Sequence, residues 1–201
     1  MPTARPIRLP AADFHLRPLP VTTVHGLDTL RLHGASYPAI QFRLVTSHRF
    51  SHPDAPGGLL YLADDPETCL MECFGDAVLD PGSFISQTRW MNQRVSRIQS
   101  TDTFRLCDLT ETKTRSALKV DLPSLLHPDL SIPQTWGLAI QTHPENADGL
   151  CFFSRFTNRR CLVLFDAGGR HLSKLKSTAQ GGLAVHAQAD RFLDENKIAL
   201  V

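Results

Sequence analysis

The chain has 201 residues, 42% of them apolar, which suffices for one domain with its own core. Its 21 basic and 20 acidic residues leave a net charge of +1, which excludes a chain-wide electrostatic footprint for nucleic acid. No apolar run reaches membrane-spanning length, and the five cysteines, odd in number and without a CxxC pair, read as free thiols of a reducing compartment.

Arg5, Arg8, Asp13 and Arg17 interrupt the N-terminal stretch, so no secretory leader is expected there and a cytoplasmic location follows. The five lysines leave sixteen arginines, a composition that suits forked recognition of phosphate or carboxylate as well as plain codon bias.

In chain order, residues 1–25 carry closely spaced prolines and are expected to lie extended over the fold, with one domain spanning 26–201. Residues 27–33 read as a strand with Arg31 facing opposite to Leu30 and Leu32. A second strand is expected over 40–45, with Arg43 in alternation, followed by a turn-rich loop holding Arg49 and Phe50. Residues 59–63 are short and apolar, as a buried strand should be. Asp65 then supplies a helix cap, Pro66 the first helical position and Glu67 an acid at the positive dipole end. The helix packs Cys69, Leu70, Met71, Cys73 and Phe74, and Gly75 is expected to end it. On a helical wheel Glu72 points away from the centre of that apolar face, as a solvated glutamate would.

Residues 77–100 mix polar and apolar positions and give no clear element. Residues 104–109 alternate as a strand, 110–118 form a weak helical pattern, and 121–133 are mostly loop. A helix is expected over 133–142, strands over 150–156 and 161–165, and a turn at Ala167, Gly168 and Gly169. The chain should close with a helix over 183–194 and an apolar strand or tail over 198–201. Strands with irregularly interspersed helices predict a single mixed α+β domain around a central sheet.

Motifs exclude much chemistry. No GxGxxG, GxxxxGK[ST], HExxH or GxSxG is present. His48 and His52 stand four apart, but Pro53 and neighbouring turn residues rule against a ligand-bearing helix, so no metal site is expected. No cysteine has a histidine and acid placed by sequence to activate it. What remains is a set of polar residues in apolar surroundings: Arg31, Arg49, Tyr61, Glu72 and Ser154. Taken singly, each is adequately explained as an ordinary strand, loop or helix residue.

Together they carry a resemblance. The chain resembles the RES domain, the toxin component of a class of bacterial toxin–antitoxin pairs, over residues 27–165 in three patches. These are TLRLHG around Arg31; HRF followed by LLYLADDPETCLMECFGD; and DGLCFFSRFTNRRCLVLF. The unit from Tyr61 to Glu72 is the most specific. Many members have Gly-Arg-Trp-Asn where this chain has His48-Arg49-Phe50-Ser51, and Arg43 competes with Arg31 as the first arginine.

The resemblance implies a fold similar to that of ADP-ribosyltransferases and consumption of NAD⁺ as substrate, with no permanently bound cofactor. By the same resemblance Glu72 stabilises the ribose cation or orients the nucleophile, and Arg31 and Arg49 hold phosphates. Tyr61 packs along the nicotinamide or ribose, and Ser154 hydrogen-bonds the substrate. Arg155 is structural or a partner of Glu72. A cognate Xre-like, DNA-binding antitoxin protein is implied, with a homodimer possible and no direct nucleic-acid binding by this chain. Hydrolysis, phosphorolysis and mono-ADP-ribosylation of a protein remain open, as does a non-catalytic NAD-binding module.

Overall fold

The computed structural model describes residues 6–80, 82, 84–166, 169 and 171–201. Ahead of the first strand, residues 6–21 are irregular apart from one 3-10 turn at Phe14–Leu16. Strands β1 (Thr22–Gly34) and β2 (Gly58–Ala63) precede helix α1 (Pro66–Leu79). Then come β3 (Phe84–Ile85), α2 (Gln87–Met91), the 16-residue β4 (Gln93–Asp108), α3 (Thr112–Leu118), α4 (Leu122–Leu125) and α5 (Ser131–Gln141). The chain ends with β5 (Gly149–Phe153), β6 (Arg160–Asp166), β7 (Lys176–Gly182), α6 (Ala187–Asn196) and β8 (Ala199–Leu200).

The main sheet has six strands in the order β1-β2-β6-β5-β4-β7, and β1 additionally pairs with β4. Because β1 touches both β2 and β4, the sheet curls back on itself, and β7 is added along the outside of β4. The β4–β5 ladder is parallel, while β2–β6 and β5–β6 are antiparallel. Strands β3 and β8 form a small parallel pair of their own. The result is a mixed α+β domain with a central sheet, as the sequence predicts.

The period-two pattern of β2 divides the core. Leu59, Tyr61 and Ala63 face one side with Val163, Phe165, Phe152, Trp136 and Ile140, so this side is covered by α5. Leu60 and Leu62 face the other side with Ile98, Phe104, Leu106, Leu162 and Leu164. A third cluster packs Leu70 and Phe74 of α1 against Trp90 and against Phe192 of α6.

Several expectations shift at the element ends. Helix α1 does not stop at Gly75 but runs to Leu79. Gly75 is there for packing: a Cβ on it would lie 2.6 Å from the Phe156 ring, so its bare backbone lets Phe156 sit against the helix. Residues 40–45 do not form a strand, and only Arg43 bridges to Leu59. The strand expected at 104–109 is the end of the much longer β4, which begins in the stretch that gave no clear element. A short helix, α4, interrupts the loop expected over 121–133. The final helix is divided, with a 3-10 turn at Leu183–Val185 and α6 starting at Ala187. The expected turn at Ala167 and Gly168 lies outside the described residues.

Candidate functional site

Four of the five sequence-selected residues meet in one cleft. Arg31 from β1, Arg49 from the loop after residue 43, Tyr61 from β2 and Glu72 from α1 all line an outer cleft with about 780 Å³ of open space. Arg43 and His48 line it too. A smaller, mostly apolar recess of about 370 Å³ adjoins it, walled by Leu30, Leu62, Cys69 and Cys161. Arg31, Tyr61 and Glu72 border both spaces.

Glu72 is placed by α1, and α1 is fixed at its first turn. Asp65 caps it by accepting the Thr68 N–H at 2.9 Å, and Thr68 Oγ1 donates back to Asp65 at 2.7 Å. Arg159 bridges Asp65 and Glu67, each at 2.9 Å, which ties the helix start to the turn between β5 and β6. That turn is built by Ser154. Its N–H donates to the Arg159 carbonyl at 2.8 Å, its carbonyl accepts from Asn158, and Asn158 takes the left-handed conformation (φ 54°) that lets the turn close.

Ser154 is buried, 1% exposed, and does not line the cleft surface. Its hydroxyl donates to Glu72 Oε1 at 2.6 Å while accepting the N–H groups of Phe156 at 3.2 Å and Thr157 at 3.3 Å. The hydroxyl is thus fully engaged inside the protein. Arg155 pairs with Asp76, one turn beyond Glu72 on α1, and lies over the Phe156 ring with its guanidinium carbon 4.3 Å from the centroid.

The side chain of Glu72 is exposed to the cleft, and its carboxylate is held from behind by Ser154. Burial pushes its carboxyl above the ordinary value. The Ser154 hydrogen bond opposes that push, as do the positive charges of Arg49 and Arg155, and Asp76 adds to it. The two arginines favour the charged form, but desolvation is the larger effect.

Arg31 and Arg49 are half-buried in the cleft wall. Arg31 donates from Nη1 to the carbonyls of Ala39 (2.7 Å) and Gln41 (3.2 Å), and burial lowers its pKa to about 10. Arg49 donates from Nη1 to the carbonyls of Leu125 (3.2 Å) and His127 (3.3 Å), at the end of α4. In each case these bonds use one guanidinium nitrogen, and both side chains line the cleft. Tyr61 turns its hydroxyl away from the apolar recess, accepting the Phe50 N–H at 3.1 Å and meeting Ser51 Oγ at 3.3 Å. Burial raises its pKa to about 12, so it is a neutral hydroxyl group.

The loop that carries His48 and Arg49 is held from outside by α5. Gln134 Nε2 donates to the carbonyls of Thr46 (2.6 Å) and His48 (2.9 Å). Gly137 lets the helix approach, because a Cβ there would lie 2.3 Å from the Phe50 carbonyl oxygen. Sequence reading missed Gln134 entirely and held Arg43 only as a substitute for Arg31, whereas both arginines line the cleft. His48 drew attention only as a metal candidate. Among the described residues, no group of three or more His, Cys, Asp or Glu is placed to hold a metal ion. No helix among them is long and apolar enough to cross a membrane.

The fold and site together define a mixed α+β domain with a glutamate and several arginines gathered in a cleft beside a curled sheet. The RES domain model matches residues 28–185, and the chain belongs to the RES domain family. Among solved structures, the chain is similar to one from the M. tuberculosis MbcT–MbcA toxin–antitoxin complex, with a TM-score of 0.60 and 19% identity. That similarity covers 87% of this chain and 92% of the other, and it extends to the fold. No curated protein matches the sequence.

Proposed function

We propose that this chain is the toxin of a toxin–antitoxin pair and that it cleaves NAD⁺ at the nicotinamide–ribose bond. The observation that carries the proposal is the Glu72 carboxylate, held by Ser154 at 2.6 Å in the same cleft as Arg31 and Arg49. Breaking the bond between ribose C1′ and the nicotinamide nitrogen sends the bonding electron pair out with the ring, which leaves neutral. Positive charge then develops on the ribose, and a fixed anion beside it lowers the barrier.

The cleft divides the work by chemistry. Unspent guanidinium donors of Arg31 and Arg49 suit a diphosphate, since forked cations bind phosphate oxygens in pairs. The apolar recess beyond Tyr61 suits a flat, neutral leaving base. Glu72 borders both spaces, where the reacting sugar would lie. Ser154 fits this reaction as the group that fixes the carboxylate, in place of the substrate contact implied by the family resemblance, because its hydroxyl has no capacity left.

Water, inorganic phosphate or a protein side chain could capture the ribose, giving hydrolysis, phosphorolysis or ADP-ribosylation. The partner protein in the M. tuberculosis complex supports a cognate antitoxin here; that it is DNA-binding and of Xre type follows from the family resemblance alone. Expression in bacteria tests the whole reading. Growth should stop with cellular NAD⁺ falling, and Glu72→Ala should restore both. Growth arrest with unchanged NAD⁺ would redirect the search to a modified protein, and normal growth on expression of soluble wild type would favour a non-catalytic module.

A further inference from the structure

The outer cleft contains more cationic capacity than its two anchored arginines. Arg31 on β1, Arg43 on the bridge to β2, and Arg49 on the following loop bring three fixed positive charges to one space, against the single carboxylate of Glu72. His48 stands among them. Its ring meets the Tyr61 ring edge-on, with centroids 5.0 Å apart, and its backbone is pinned by the Val45 carbonyl and by Gln134. Neither ring nitrogen of His48 hydrogen-bonds to another described residue. Arg43 likewise lies over the Tyr37 ring, with its guanidinium carbon 4.8 Å from the centroid, and its donors remain free of described partners.

Resting on the dinucleotide reading above, we propose that His48 is a further substrate-binding residue, contacting the diphosphate of the dinucleotide together with Arg31, Arg43 and Arg49. A pinned backbone, a ring steadied by Tyr61, and ring nitrogens without a hydrogen bond among the described residues are what such a contact needs.

The contact carries a proton with it. In the cleft His48 is held below its ordinary value, chiefly by burial and then by the charges of Arg31 and Arg43. A diphosphate neutralises those two charges and offers oxygens to the ring, so both electrostatic causes reverse when it binds. The titratable and charged groups that share the cleft with His48 are Arg31 from β1, Arg43 and Arg49 from its own connection, Tyr61 from β2, and Glu72 and Cys73 from α1. Of these, Glu72 is the other acid whose protonation an incoming anion would favour, since burial already raises its pKa. The sign follows: His48 is neutral in the free protein at neutral pH and gains a proton in the complex. Affinity therefore rises as pH falls, until His48 is charged in the free protein as well.

The test is calorimetric titration of the intact protein with ADP-ribose, near neutral pH, in buffers of differing ionisation enthalpy. Wild type should take up protons on binding, and Glu72→Gln should still do so. His48→Gln should bind ADP-ribose without uptake and with a flat pH dependence. His48→Ala should weaken binding about tenfold or more, as for loss of a charge-assisted hydrogen bond. Unchanged proton uptake in His48→Gln, or loss of uptake in Glu72→Gln alone, would overturn the inference while leaving the NAD⁺ reading standing. Failure of wild type to bind ADP-ribose would overturn both.

Discussion

Ser154 donates its hydroxyl proton to Glu72 across 82 positions of sequence, at 2.6 Å, from a buried turn that α1 itself helps to hold in place. The bond fixes one carboxylate oxygen and leaves the other for the cleft. It also stabilises the charged form against the burial that works to neutralise it.

Removing that hydroxyl should therefore change the pH at which the protein works. In Ser154→Ala the Glu72 carboxyl should move further up; since the proposed reaction uses ionised Glu72, the acidic limb of the NAD⁺-cleavage profile should shift to higher pH. Turnover at neutral pH should fall about tenfold or more from the lost orientation. The backbone N–H groups of Phe156 and Thr157 also lose their acceptor, which costs about 1–3 kcal/mol of stability per group left unsatisfied. A rate profile from about pH 5 to 9, the span over which carboxylates and histidines titrate, separates the two effects. An unshifted limb would contradict the role given to Ser154.

Tyr61→Phe keeps the ring and deletes the hydroxyl that accepts from Phe50. The Phe50 N–H is left without this acceptor at a destabilisation of about 1–2 kcal/mol. The loop bearing His48 and Arg49 loosens, so KM for NAD⁺ should rise while kcat changes little. A fall in kcat alone, with KM and stability unchanged, would place the hydroxyl in the chemistry instead.

Gly137→Ala tests the support behind the cleft. The new Cβ would stand 2.3 Å from the Phe50 carbonyl oxygen, and α5 must move away or the loop must shift. Overpacking of this kind costs about 1–3 kcal/mol, or a fall in Tm of roughly 2–4 °C per kcal/mol for a chain of this length. Thermal denaturation measures the loss, and a raised KM should accompany it because His48 and Arg49 lie on the displaced loop.

The legible parts of the chain were those whose causes are local. Asp65 and Pro66 announce the start of α1 and its N–H groups need a cap wherever the helix packs, so the cap is where the sequence puts it. The short apolar run at residues 59–63 is a buried strand, β2, as its length and composition suggest. Gly75 misleads because its reason for being glycine is the distant Phe156 ring and not a helix end. Residues 40–45 alternate like a strand but give up pairing after Arg43, while the Ala39 and Gln41 carbonyls turn to Arg31.

Within the cleft, residue types were legible and their duties were not. Glu72 points away from the helix's apolar face, which a wheel reads as solvent; a cleft satisfies the same geometry. Ser154 and Gln134 act through contacts 82 and at least 86 positions away, and nothing in their neighbourhoods records the partner.

The most direct measurement is NAD⁺ loss over time with purified protein, with and without inorganic phosphate, beside Glu72→Gln of matched stability. Wild type should consume NAD⁺ and release nicotinamide, and the substitution should slow turnover by about two orders of magnitude or more, the usual effect of removing a transition-state charge contact. Equal turnover in the folded variant would contradict the place given to Glu72 at the centre of the site.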